Sequence, residues 1–107
     1  MTDRELIELA ARAAGYKVIH SFENNDALMI EVSQRKYEVF NPLTSDADAF
    51  RLAVKLTLEV DIHQTGIAVR TPIGHKVLVS ADEVKCGYAA TRRAITRAAA
   101  EIGRGMV

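Results

Sequence analysis

The side chains best suited to chemistry lie in a segment where polar and apolar residues alternate, as they do in a β-strand. Asp61 and His63 are two residues apart and therefore point to one face of that strand, and Arg70 follows on the next predicted strand. A carboxylate and an imidazole on one face are groups that acid–base catalysis uses. One hypothesis is therefore an enzyme or small-ligand site on this polar sheet face. Any solvent-exposed strand produces the same alternation, so we assign no catalytic residue.

Residues that bind metals are few and badly spaced for the task. The chain has four imidazole or thiol side chains, at His20, His63, His75 and Cys86. Their spacing fits neither Cys-x-x-Cys nor His-x-x-x-His, and no glycine-rich phosphate loop is present, so we predict no metal and no cofactor. His20 shares a strand face with Val18 and Phe22, which favours a hydrogen-bonded core or edge histidine. Cys86 beside Lys85 could be an activated thiol, although the pattern favours a packing or loop cysteine.

A stripe of arginines near the carboxyl end is the third candidate. Arg93 and Arg97 are one helical turn apart, Arg104 continues the stripe, and Arg92 lies at its flank. Such a stripe can contact the phosphates of a nucleic acid. A solvated face, with Arg97 paired to Glu101 four residues later, explains the same pattern. Because aromatic residues make up only 6% of the chain and the pI is near 6.8, nucleic-acid binding is an alternative that composition does not favour.

Length and composition predict one globular domain that spans residues 1–107. The 49% hydrophobic content is ordinary for such a domain. The formal net charge is zero, but residues 1–84 hold nine basic and thirteen acidic side chains, whereas residues 85–107 hold five and one. This asymmetry could steer a partner, and complementarity within the chain is the simpler explanation.

The expected compartment is the cytoplasm. Cys86 is the only cysteine, so an internal disulfide is excluded, which fits a reducing environment. No apolar run approaches the roughly 20 residues that a membrane span needs. Residues 1–5 resemble a helix cap more than a signal peptide. We therefore expect a cytoplasmic protein without a membrane partner.

Three helices must position these residues. Thr2 and Glu5 have the spacing of a capping box, and glycines at 103 and 105 are expected to end the last helix. The predicted helices run from a cap at Thr2 to Gly15, from a cap at Ser45 to about Leu58, and from about Gly87 to Ile102. The buried side of the last helix is expected to carry Val84, Tyr88, Thr91, Ile95, Ala98 and Ile102.

The alternation of polar and apolar residues predicts two antiparallel meanders joined by the central helix. They span residues 17–22, 28–32 and 36–40, and then 59–63, 67–70 and 76–79. The order α-βββ-α-βββ-α indicates an α+β fold with an antiparallel sheet of about six strands. Both meanders have one rather polar face, which suggests that helices cover one side of the sheet.

The central helix is apolar around most of its circumference. One face carries Ala47, Phe50, Ala53, Val54, Thr57 and Leu58. A second apolar arc carries Ala49, Leu52 and Leu56, and a helix of this kind is usually covered on more than one side. The simpler expectation is that the chain's own second layer buries this arc. The alternative is that Leu52 and Leu56 form a self-association surface.

The same part of the chain carries a resemblance to a known family. Asn-Pro-Leu-Thr at 41–44 and Asp-Ala-Phe-Arg-Leu-Ala-Val-Lys-Leu at 48–56 resemble the central signature of the phage ABA sandwich domain family. Residues 2–15 and the arginine- and alanine-rich residues 92–99 are similar to the two ends of that family. Family members usually have tryptophan before Asn-Pro, where this chain has Phe40. The resemblance implies an α/β/α sandwich and a phage or prophage origin, and it implies no activity.

The positions that match the central motif are expected to have structural roles. Asn41 and Pro42 suit a turn, Asp46 and Asp48 suit the positive end of a helix, and Arg51 suits a pair within the helix. The strand pattern indicates helices on one side of the sheet, and the family resemblance implies three layers. Together they predict a full or partial α/β/α sandwich. A helix, a loop or a partner subunit would cover the second face.

The function that we expect from these observations is protein binding. A small phage or prophage accessory protein in the bacterial cytoplasm, without enzymatic activity, would bind another protein or a second copy of itself. The basic helix and the polar sheet face support the two alternatives, nucleic-acid association and a small-ligand or enzyme site.

Overall fold

The computed structural model describes residues 1–19, 28–34 and 36–106. Its elements are α1 (Asp3–Ala13), β1 (Lys17–Ile19), β2 (Leu28–Ser33), β3 (Lys36–Phe40), α2 (Asp46–Lys55), β4 (Glu59–His63), β5 (Gly66–Arg70), β6 (Lys76–Ser80) and α3 (Gly87–Gly105). The predicted α+β class and the order α-βββ-α-βββ-α are confirmed. His20, Phe22 and the turn expected at 23–26 lie outside the described residues.

The six strands form two antiparallel sheets of three, in the orders β1-β2-β3 and β4-β5-β6. Each sheet is a meander, because strands that are consecutive in the chain pair with each other. His63 pairs with Gly66 across the predicted turn. Among the described residues, β4 pairs with β5 alone, so it is an edge strand.

Local sequence signals explain where the first two helices begin and end. The backbone N–H of Glu5 donates to Thr2 Oγ1 at 3.2 Å, and the N–H of Asp48 donates to Ser45 Oγ at 3.2 Å. Both caps satisfy amides that have no partner inside the helix. Gly15 has a φ of +78°, which is the left-handed conformation that ends α1. The predicted caps are confirmed.

The helix that organises the core is α3. It packs against α1, α2, β5 and β6. Its buried residues are mostly alanine, with one glycine: Ala90, Ala94, Ile95, Thr96, Ala98, Ala99, Ala100 and Gly103. Small side chains let neighbouring backbones approach closely, so a helix with few large apolar residues occupies the centre of the domain.

The carboxyl end of α3 differs from the prediction. Gly103 does not end the helix, which continues to Gly105. A Cβ atom at position 103 would overlap the carbonyl oxygen of Leu9 in α1. Position 103 therefore requires glycine because two helices approach closely there, and the residue does not serve to end the helix.

The helices cover one face of the second sheet. Ile67, Val69 and Val79 are buried on the face toward α3. The opposite face carries His63 and Lys76, which are exposed, and Leu78, which is 65% exposed. In the part of the chain that the structure describes, the sandwich is therefore partial.

Candidate functional site

The polar sheet face brings two of its three predicted residues together. Arg70 lies on β5 and Asp61 on β4, and their side chains pair with Nη1 to Oδ2 at 2.9 Å. Glu59 lies 3.4 Å from the same guanidinium nitrogen. His63 is exposed at the end of β4, and no hydrogen bond of the described residues joins its side chain to Asp61. The carboxylate that was expected to assist the imidazole is therefore occupied by Arg70.

The arginine stripe is matched by acidic side chains of the same chain. The pairs are Arg93 with Asp3 at 3.2 Å, Arg97 with Glu83 at 2.8 Å and Arg104 with Glu101 at 3.5 Å. The expected pair of Arg97 with Glu101 is wrong, because the loop before α3 places Glu83 within reach. These contacts neutralise much of the positive potential that phosphate binding would need.

The residues of the central motif form a compact turn. The N–H of Leu43 donates to Asn41 Oδ1 at 3.1 Å, and the N–H of Asn41 donates to Asp48 Oδ2 at 2.9 Å. Pro42 is buried, and Arg51 lies 3.8 Å from Asp48 one turn along the helix. These contacts give the motif the turn, capping and helix-pairing geometry expected from the sequence.

The motif is also fastened to α3 by a residue that sequence reasoning left at the flank of the stripe. Arg92 Nε donates to the carbonyl oxygen of Leu43 at 2.8 Å, and its Nη1 lies 2.6 Å from Asp46 Oδ1. We call this set the Arg92 clamp. From the sequence, Asp46 was expected only as a charge at the positive end of α2. Its contact with Arg92 joins residues 46 positions apart, and such a contact leaves no local signal in the sequence.

The arc of α2 that the self-association hypothesis expects to be exposed is the buried one, and the other arc is exposed. Leu52 is fully buried and Leu56 is half-buried, so Leu52 cannot contribute to an exposed surface. Phe50 and Val54, from the other arc, are 69% and 63% exposed. An exposed apolar surface exists on α2, but different residues form it.

These exposed residues border a groove of about 650 Å³ between α2, the start of α3 and β4. Its apolar lining includes Phe50, Val54, Leu58, Val60, Ile62 and Tyr88. We call it the α2–β4 groove. Ile62 is 70% exposed and Tyr88 is 76% exposed. Asp46 and Arg92 of the clamp also line the groove, so it has one charged end.

Tyr88 was expected on the buried side of α3, and that expectation is wrong. The helix buries its alanine-rich side instead, which turns Tyr88 toward the groove. One sequence signal pointed to the groove: α2 has more apolar circumference than one contact can cover. The position of Ile62 on an edge strand depends on the strand order, which the sequence does not specify.

Cys86 is exposed and occupies the N-cap position of α3. The first backbone N–H groups of the helix, at Ala89 and Tyr88, favour the thiolate and lower the pKa of Cys86 below its ordinary value. They act across the helix end without forming a capping hydrogen bond. The charge of Arg92 acts in the same direction.

Residues 1–19, 28–34 and 36–106 contain neither a metal-binding cluster nor a membrane-spanning helix. No three His, Cys, Asp or Glu side chains in these ranges are grouped closely enough to hold a metal ion. None of the helices described there combines the length and apolarity that crossing a membrane requires. His75 is exposed in the β5–β6 loop, where its backbone N–H donates to Thr71 Oγ1 at 3.0 Å.

Comparison with protein-family models, with curated proteins and with solved structures finds no match for this chain. Membership of the phage ABA sandwich domain family therefore stays a prediction that rests on the motif residues.

Proposed function

We propose that this protein is a non-enzymatic interaction module that binds protein through the α2–β4 groove. The observation that carries the proposal is the grouping of Phe50, Val54, Ile62 and Tyr88, each at least 63% exposed, around one apolar groove. Contiguous exposed apolar surface usually marks a contact site. The phage or prophage origin and the cytoplasmic location rest on the motif residues and on the single cysteine.

The energetic argument favours a covered groove. An exposed side chain of this size offers roughly 100–200 Å², so the four together present about 500 Å² of apolar surface. At about 25 cal/mol per Å², burial of that surface stabilises a complex by about 12 kcal/mol before the entropy lost on association is subtracted. Association costs roughly 4–15 kcal/mol in lost freedom, so the affinity depends on how well the shape of the partner matches the groove.

The groove suits a protein better than a nucleic acid. Aromatic and aliphatic side chains dominate its lining, and its charged end is an ion pair whose two charges offset each other. Interface centres are enriched in aromatic residues and arginine and depleted in other charged residues. The alternatives on the arginine stripe and on the polar sheet face would use residues that already have partners within the chain.

The test is an affinity capture from bacterial lysate, with and without phage infection, before and after nuclease treatment. Wild-type protein is compared with Phe50→Ser and Tyr88→Ser in the groove, and with Leu78→Ser as a control of similar exposure on the outer sheet face. Self-association of the same four proteins is measured by sedimentation. We expect the groove variants to lose binding by about tenfold or more, whether the partner is another protein or a second copy, and the control to keep it.

Three results would overturn the proposal. The first is that Leu78→Ser loses as much binding as the groove variants. The second is that captured partners disappear after nuclease treatment. The third is that wild-type protein neither captures a protein nor associates with itself. Circular dichroism and thermal unfolding of each variant show whether binding was lost because the groove surface changed or because the protein unfolded.

A further inference from the structure

The outer edge of β4 borders the α2–β4 groove, and it lacks the lysine that each of the other edge strands has. Exposed strand edges offer unpaired N–H and C=O groups to another chain, and proteins often guard them with lysine or with bulges. The other three edge strands each contain a lysine, at Lys17 in β1, Lys36 in β3 and Lys76 in β6. β4 reads Glu-Val-Asp-Ile-His, without lysine or proline.

The geometry of β4 is also regular. Its pairing with β5 runs without a shift from Glu59 opposite Arg70 to His63 opposite Gly66. In the first sheet, by contrast, the pairing of β2 with β3 is interrupted by an irregularity after Glu31. Arg70 holds the carboxylates of Glu59 and Asp61, which reduces the negative charge along the β4 edge. A regular and partly neutralised edge can accept another strand.

From these features we propose that the partner at this surface is a second copy of the chain, joined antiparallel through β4 to form a six-stranded sheet across two protomers. The inference rests on the proposed function, because it names the protein that the groove binds. Related protomers pair most simply about a twofold axis, so that the same patch contributes from both sides.

The alternation of faces restricts the register of this pairing. In this pairing, apolar residues of β4 lie opposite apolar residues only when the twofold axis passes between one residue and its own copy. A shift of one position would exchange the two faces of the strand. An axis between the two copies of Asp61 pairs Val60 with the partner's Ile62, but it places two carboxylates directly opposite each other. An axis between the two copies of Ile62 places Ile62 against the partner's Ile62 and Asp61 against the partner's His63. Apolar cross-strand pairs are favourable and like charges directly opposite are destabilising, so we infer the second register.

The surface available supplies a large part of the area that a dimer interface needs. A standard stable interface buries about 800 Å² on each partner. The exposed apolar side chains of the groove supply about 500 Å² of this, and the strand edge with Val60 and the groove walls supplies more. Because the chain has a formal net charge of zero, long-range repulsion between two copies is small.

The first experiment measures the mass of the full chain in solution by sedimentation velocity across a wide range of concentration. Wild-type protein is expected to be a dimer. Ile62→Lys places a charge on the proposed axis and is expected to give a monomer, whereas Leu78→Lys, on the outer face of β6, is expected to stay dimeric. Both substituted side chains are mostly exposed, at 70% and 65%, so the fold should be retained.

A second experiment tests the register directly. Directly opposite residues of an antiparallel pair have Cα atoms about 4.5–5.5 Å apart, which a disulfide can bridge. In a Cys86→Ser background, Ile62→Cys is expected to form a disulfide-linked dimer on mild oxidation, and Leu78→Cys is not. Because Cys86 is exposed, its removal is needed to exclude a second linkage.

The inference fails if wild-type protein is monomeric at every concentration, if the dimer survives Ile62→Lys, or if Ile62→Cys does not cross-link. A monomer whose capture of a different protein depends on Phe50 and Tyr88 would refute the dimer and leave the proposed function standing. A monomer without groove-dependent capture would refute both.

Discussion

Helix α3 meets its two helical neighbours in different ways. Against α1 it approaches so closely that Gly103 lies on the backbone of Leu9, and the buried residues one turn earlier are Ala99 and Ala100. Against α2 it is held by the Arg92 clamp, which binds the turn before α2 and the first residue of that helix. The α2–β4 groove lies between the two helices and β4, beside the clamp.

The difference shows how one helix can have a sealed side and an open side. Small residues bring two backbones together and leave no room for water or a ligand. A charged clamp fixes the orientation of two elements at one point, but it does not fill the space beside it. The open side is therefore a consequence of which residues make the contact, and the exposed apolar side chains beside it remain available for binding.

The largest expected effect tests the sealed side. Gly103→Ala introduces a Cβ that would overlap the backbone of Leu9, and neither backbone can yield by rotating a side chain. We expect a loss of about 3 kcal/mol in the free energy of unfolding, measured by urea denaturation. Gly105→Ala is the matched control, because nothing lies within 4 Å of a Cβ there. It should be neutral or stabilising by up to about 1 kcal/mol. Equal effects of the two changes would show that α1 and α3 are less closely packed.

An intermediate effect is expected at the clamp. Arg92→Met keeps the aliphatic part of the side chain and leaves the carbonyl oxygen of Leu43 without its donor. We expect a loss of about 1–2 kcal/mol, most of it from that carbonyl, since Asp46 is largely exposed. Arg104→Met removes an ion pair whose arginine is much more exposed than Arg92, and it should change stability by less than about 0.5 kcal/mol. Equal losses in the two variants would mean that the clamp does not hold α2.

The smallest effect concerns the end of α2 that faces the groove. Thr57 has a φ of +54°, a left-handed conformation that is strained for a β-branched residue. Thr57→Gly should raise the free energy of unfolding by about 0.5–1 kcal/mol, after allowance for the greater flexibility of glycine in the unfolded chain. Thr57→Ala retains the strain and should give no such gain. A destabilised Thr57→Gly would show that a contact of the threonine outweighs its backbone strain.

Prediction from the sequence succeeded where the signal is local. The caps at Thr2 and Ser45, the left-handed Gly15 and the six strands depend on residues within a few positions of one another. The turn at Asn41 was predictable for the same reason. Asp48 was expected only as a charge at the start of the helix, and the structure adds that it accepts the N–H of Asn41.

It failed where the answer depends on which elements meet. The buried side of α3 was assigned to large residues such as Tyr88, but close packing against α1 selects the alanine side. Arg92 was left at the flank of the arginine stripe, because nothing near it in the chain shows that Leu43 and Asp46 are its partners. The division of six strands into two sheets, which makes β4 an edge, is likewise set by distant contacts.

The pairing of α1 with α3 has a consequence for how the chain is made. Asp3 and Arg93, which pair across these two helices, are 90 positions apart. A nascent chain leaving the ribosome therefore carries α1 long before the helix that buries its apolar side has been translated. Contacts of this separation close slowly, and the apolar surface stays open to chaperones and to other chains until α3 emerges. The domain cannot complete its core progressively from its first residues, and folding is delayed until the final helix is synthesised.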